Sequence, residues 1–430
     1  MANNFHQKIT GDQNFQQLDL FADTTSPEEL IQEKNLQDQD MVESEAILIG
    51  APFSAAKSEE KFPRELAILY VEAKDDSYRV HAHHADHEEL ETNFQSAPVL
   101  SYSQHMIDIE NCHLPDMIGK MRKFSEEDCK AHQIRSWLIR LRKTLQEKFK
   151  QNLSCLIIND GTNFEIPWEM MYLEDEHLGA SIPTVRWANI PDPDNVYDKA
   201  KRLITISCNR QECCGDIIAY APTIEELTHV KEEVDVINKF KSKLFKTIPE
   251  FSSYLHQVKH DVSLIFIASH GYLGNNICDI SFGETITSLM ELHYWNFTFL
   301  KNCNTVVFMN VCHSGRLLKD DQFKTSEFYM GFPTFFLKRG ARGVIGTMER
   351  VRDDYAAQIT QNFFQEYRSN PELSVPEILR NLRFQAAKKL QSNVNALENW
   401  EFFFYTFMYV YYGNPMTVLR LTPSGGKSHG

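Results

Sequence analysis

Between residues 203 and 390, short apolar runs alternate with segments of helical period, and this alternation constrains the fold more than any other feature. The runs are Leu203–Cys208, Ser263–Ser269, Thr305–Val311 and Gly343–Gly346. They are short and dominated by Val, Ile and Phe, which suits strands rather than helices. Thr223–Phe240 carries Leu227, Val230, Val234 and Ile237 on one helical face. Further helices are expected at about Leu289–Leu300, Phe328–Arg339, Asp353–Tyr367 and Val375–Leu390. A strand that is apolar along its whole length needs cover on both faces. The expected fold is therefore α/β, a mostly parallel sheet flanked by helices.

The chain upstream has weaker signals of the same kind. Ala46–Gly50, Leu66–Glu72 and Ser77–Ala82 are strand-like, Ser125–Lys150 is helical, and the run Cys155–Ile158 closes on the turn Asn159-Asp160-Gly161. Residues 1–45, rich in Gln, Asn, Asp and Glu, are expected to form a disordered arm with one short helix at Ser26–Leu30. The expected organisation is thus an arm over 1–45, a first half over 46–198, a second half over 199–421, and a flexible tail over 422–430.

Charge and cysteine usage narrow the classes of function. A net charge of -15 argues against a chain built mainly to hold nucleic-acid phosphates, and no apolar window is long enough for a membrane span. The polar start lacks the pattern of an export signal, and nine cysteines without a disulfide spacing read as reduced thiols. A cytoplasmic location is the expectation.

In open α/β sheets, ligands sit beyond the carboxyl ends of the strands. Two residues stand there. His270, followed by Gly271, succeeds the strand ending at Ser269, and Cys312 succeeds the strand ending at Val311. If these strands are neighbours, both side chains leave one edge. A thiol paired with a base is a nucleophile, and the amides of Gly271 and Cys312 are candidates for an oxyanion hole.

The segments Phe266-Ile-Ala-Ser-His-Gly271 and Phe308-Met-Asn-Val-Cys-His-Ser-Gly315 resemble the two catalytic blocks of the CHAT-domain peptidases, bacterial relatives of caspases and separase. The resemblance extends to Gly340–Gly346, Val351–Asp354 and Tyr412-Gly-Asn-Pro415, and upstream to Ile157–Gly161 and Ile166-Pro-Trp-Glu169, covering about Ala46–Leu421. It implies a degenerate, inactive caspase-like first half and a catalytic second half with His270 and Cys312 as the dyad. It further implies a cysteine endopeptidase without metal or organic cofactor, acting on a specific protein substrate encoded nearby. Such a peptidase is held in check until an activator protein releases it, in a bacterial defence or regulated-death pathway. By the same analogy, Asn209, Arg210, Glu349 and Asp353 are candidates for the substrate pocket. They carry both signs of charge, so neither a basic nor an acidic P1 residue follows. The chain departs from the family's common architecture in lacking a helical repeat array.

Other clusters carry less. His81, His83, His84 and His87 lack a complementary ligand set for zinc, and so do Cys208, Cys213 and Cys214. Cys112-His113 has no turn glycine after it, and His313 projects away from its neighbour Cys312. Two other functions remain open: a catalytically silent signalling scaffold that binds partner proteins, and a Cys–His acyl transferase or amidase. The Pro- and Asp-rich strip at Pro191–Asp198 is a candidate site of self-cleavage.

Overall fold

The computed structural model describes residues 46–48, 63–96, 100–110, 119–162, 164–190, 205–222, 227–274, 281–283, 287–319 and 329–424. The expected arm, the strip Pro191–Asp198, Cys112-His113 and the final residues lie outside them. A 13-stranded sheet organises the rest. Its principal strands are β1 (Leu66–Lys74), β2 (Ser77–His83), β3 (Cys155–Gly161), β4 (Thr184–Trp187), β5 (Gln211–Tyr220), β6 (Ser242–Phe245), β7 (Val262–Ser269), β8 (Val306–Val311), β9 (Gly343–Thr347), β10 (Tyr409–Gly413) and β11 (Thr417–Leu421).

Across the sheet the order is β6-β5-β7-β8-β9-β10-β4-β3-β1-β2. All neighbours are parallel except β9 with β10 and β1 with β2. The expected mostly parallel α/β architecture is thus the observed one. The two halves meet where Tyr412 of β10 pairs with Arg186 of β4. Indole Nε1 of Trp187 donates to the Gly413 carbonyl at 2.8 Å across the same seam.

Both faces of the sheet are covered, as strands apolar throughout require. Alternate residues of β1 divide between two cores. Leu66, Ile68 and Tyr70 enter the larger one, which continues through the second half. Ala67, Leu69 and Val71 enter the other, capped by Ile134, Trp137, Leu138 and Leu141 of the Cys129–Thr144 helix. That helix begins where the Asp128 carboxylate accepts from the amides of Lys130 and Ala131, both at 2.9 Å. No helix among the described residues is long and apolar enough to cross a membrane.

Two expected elements are replaced. Around Leu289–Leu300 the chain makes only a 3-10 turn at Glu291–Tyr294 and one helical turn at Phe299–Asn302. The Asn296 side chain accepts from the Thr298 amide at 2.9 Å, a local bond that competes with helix. The run at Leu203–Cys208 contributes Thr205–Ser207, paired antiparallel with Ala46–Leu48 outside the main sheet. Its expected place is taken by β5, which changes partners at Gly215. Residues up to Gly215 pair with β11, and those beyond it pair with β6 and β7. Gly215 has φ +129°, and a Cβ there would lie 2.2 Å from the Asp261 carbonyl oxygen, so only glycine makes this crossing.

Candidate active site

β7 and β8 are adjacent and parallel, with Ser269 opposite Val311. The next residues, His270 and Cys312, therefore leave the sheet side by side at its carboxyl edge. Both line a single cavity of about 120 Å³. Gly271 allows the close approach: a Cβ on it would sit 2.1 Å from the Cys312 carbonyl oxygen.

The sulfur of Cys312 rests against the loop after β9. The Val351 amide donates to it at 3.4 Å, and the thiol donates to the Val351 carbonyl at 3.8 Å. Burial pushes the thiol above its usual value. The amides of Val351, Gly271 and Cys312 itself, with the charge of Arg350, pull the other way. Burial thus favours the thiol over the thiolate, and backbone donors oppose it, among them the Gly271 and Cys312 amides expected to hold an oxyanion.

A tight turn aims the sulfur. Ser314 and Gly315 donate their amides to the carbonyls of Val311 (3.2 Å) and Thr347 (2.8 Å). The Ser314 hydroxyl donates to the Met309 carbonyl and accepts from the Thr347 amide, both at 3.0 Å. His313 takes the left-handed conformation, φ +60°. That turns its ring toward Glu349, with Nδ1 3.6 Å from Oε2.

Of the four expected pocket residues, Asp353 alone lines the cavity. It also accepts from the His229 amide at 2.7 Å and the Thr228 hydroxyl at 3.3 Å. Glu349 is buried and turned to the first half, accepting from the Ser103 hydroxyl at 2.8 Å and from Arg316 at 3.2 Å. Asn209 and Arg210 precede β5, at the edge opposite His270 and Cys312. The far end of that strand, Tyr220, is level with Ile267 of β7. Arg210 there pairs with Glu372 at 2.6 Å in an exposed ion-pair network. The expected place of Asn209 and Arg210 beside His270 and Cys312 assumed that Leu203–Cys208 was a strand of the main sheet, which it is not.

The residue that sequence reasoning missed is Glu233, which lines the cavity from the Val230–Ile237 helix. Its Oε1 accepts from Asn310 Nδ2 and from the Thr360 hydroxyl, while Asn310 accepts in turn from Tyr409. Burial raises its carboxyl to about 8, with the nearby charges of Asp353 and Glu232 adding to the rise. Set in the run Lys231-Glu232-Glu233, it resembles a solvated face. The available signal was its spacing, three after Val230 and four before Ile237, on the buried stripe.

The histidines at 81–87 take separate partners: His83 Nδ1 lies 3.1 Å from Glu89, and His84 Nε2 lies 2.7 Å from the Arg64 carbonyl oxygen. No group of three or more potential ligands able to hold a metal occurs among the described residues.

The model of the CHAT domain family matches residues 129–404. No curated protein matches the chain. Among solved structures, separase in the Saccharomyces cerevisiae separase–securin complex is similar over 83% of this chain, at 10% identity and a TM-score of 0.47. The chain spans 30% of that separase chain. The complex of Porphyromonas gingivalis RgpB pro- and mature domains is similar over 68% of this chain and 70% of its own, at 12% identity and a TM-score of 0.39.

Proposed function

The chain belongs to the CHAT-domain family of caspase-like peptidases, and from that premise we propose that it is a regulated cysteine endopeptidase with Cys312 as nucleophile and His270 as its acid–base partner. One observation carries this reading: His270 and Cys312 share a cavity whose edge is built of backbone donors facing the sulfur. In the reaction the Cys312 sulfur bonds to the scissile carbonyl carbon, and the carbonyl oxygen becomes an anion facing the Gly271 and Cys312 amides. His270 takes the thiol proton and passes it to the leaving amine as the C–N bond breaks. Water then hydrolyses the thioester, restoring the thiol.

The cavity further favours a basic P1 residue. Leu227, Val230 and Val351 offer apolar walls for an alkyl stem, while Asp353 and Glu233 supply carboxyl oxygens. No Lys or Arg is among the described residues lining it. Release of the enzyme by an activator protein rests on the family expectation, as the Val351 amide facing the sulfur favours the thiolate. A defence or regulated-death role, a substrate encoded nearby and a cytoplasmic setting rest on the family and sequence expectations alone.

The test is co-expression with the proteins encoded beside it, and incubation with a peptide library, comparing wild type, Cys312→Ala and His270→Ala by mass spectrometry. Cuts after Arg or Lys, made by wild type only, are expected. Cuts that persist in Cys312→Ala would refute the nucleophile, and wild-type cuts after acidic or apolar residues would refute the pocket assignment.

A further inference from the structure

The turn that follows Cys312 is tied to the first half of the chain through side chains. Arg316, four residues after Cys312, forms an ion pair with Glu165 and another with Glu349, the latter at 3.2 Å. It also donates to the Ser103 hydroxyl at 3.2 Å. The single Ser103 hydroxyl proton is shared between Glu165, at 3.0 Å, and Glu349, at 2.8 Å. Ser103 and Glu165 belong to the first half, the latter in the loop after β3. Arg316 and Glu349 belong to the second half. All four are at least partly buried, so their bonds are shielded from water and screened little by salt.

The cluster reaches the sulfur by two short routes. The Glu349 carbonyl accepts the His313 amide at 3.2 Å, and the Arg316 amide donates to the His313 carbonyl at 3.1 Å. That holds His313 at φ +60°, a conformation that costs a non-glycine residue of the order of 1 kcal/mol and must be maintained from outside. Two residues beyond Glu349, Val351 makes both contacts to the sulfur. Glu165 is itself left-handed, φ +52°, and its carbonyl accepts the Tyr102 amide at 3.3 Å, which seats Ser103 beside it. Strain on both sides of the cluster is held in place by the bonds it makes.

We propose that Glu165 and Ser103 of the first half are positioning residues for Cys312, acting through Arg316 and Glu349 to hold the nucleophile turn and the Val351 loop against each other. The first half then completes the catalytic geometry while supplying no reacting group. The inference rests on Cys312 being the nucleophile, but its test does not depend on peptide cleavage.

The full chain is alkylated with iodoacetamide across a pH series, and modification of the Cys312 peptide is timed by mass spectrometry. Variants are Glu165→Gln, Glu165→Asp and Ser103→Ala, with Glu212→Gln as a control in the distant surface network of Arg420. With the cluster weakened, the amides facing the sulfur disperse and the thiolate loses support. Alkylation at neutral pH should slow by about threefold or more in Glu165→Gln, and its midpoint should move to higher pH. Ser103→Ala should shift the same way by less, and Glu165→Asp should restore most of the rate. Control and wild type should coincide. The proposal is overturned if Glu165→Gln or Ser103→Ala, with an unchanged melting temperature, gives the wild-type pH profile. Should Glu165→Gln not fold, the profile of Ser103→Ala decides alone. A wild type that shows these shifts but cuts neither the peptide library nor any co-expressed neighbour would count against the peptidase reading and leave the positioning role standing.

Discussion

Replacing Glu233 with Gln should remove a pH dependence of stability that the wild type must show. The carboxyl is fully enclosed, and its known donors, Asn310 and Thr360, both end on Oε1. It is therefore held near 8 against an ordinary 4.5. Between these values the native state keeps a proton that the unfolded chain has released. Stability conferred by the neutral group is complete below 4.5, declines as pH rises, and is gone above about 8. At about 1.4 kcal/mol per unit, the difference of some 3.5 units amounts to about 5 kcal/mol. Gln matches the protonated acid in shape and hydrogen bonding but does not titrate. The stability of Glu233→Gln relative to wild type should thus grow by about 5 kcal/mol from pH about 4.5 to about 8 and then level off. Urea unfolding at a series of pH values, both proteins carrying Cys312→Ala so that no thiol chemistry at the site intervenes, reads this difference. A difference that stays flat over the range would show that Glu233 is ionised in the native state, and would remove the argument for a neutral carboxyl in the cavity.

The remaining expectations are more local. Gly271→Ala should cut peptide turnover by about 100-fold or more, because the added methyl meets the Cys312 carbonyl backbone and displaces the donors around the sulfur. Burst titration with a peptidyl electrophile would detect it, and near-normal turnover would contradict the geometry. Asp353→Asn should lower kcat/KM for Arg and Lys substrates by about 10- to 100-fold, the range for a lost charged hydrogen bond, and spare substrates with a neutral P1 residue. An equal loss for both would mean that Asp353 acts on the fold and not on P1. Asp128→Ala should cost about 1 kcal/mol by uncapping the Cys129–Thr144 helix, measurable by urea unfolding. Turnover should not change.

What was legible in the sequence follows from how local its physical cause is. His270 and Cys312 could be brought together because each ends an unbroken apolar strand, and neighbouring parallel strands share a carboxyl edge. β5 was invisible because Gly215 divides it into two stretches with different partners, a division that only the tertiary fold explains. Losing β5 carried the pocket assignment to Asn209 and Arg210, at the wrong edge. Glu233 was hidden by its charged neighbours, since burial of a carboxyl is decided by Asn310 and Thr360 from other elements. The tie between Arg316 and Glu165 has no local trace at all, because it joins residues far apart in the chain through side chains only.

The position of β10 also sets an order of events during synthesis. It lies in the interior of the sheet, between β9 and β4, yet it follows every other principal strand except β11 in the chain. Until residues 409–413 leave the ribosome, β9 and β4 are both open edges, each able to pair wrongly with other chains. The two halves cannot be joined through the sheet before then. A nascent chain that already carries His270 and Cys312 is thus still without the seam that brings Glu165 to Arg316. On the positioning role proposed above, Cys312 would gain its full reactivity only once synthesis is nearly complete.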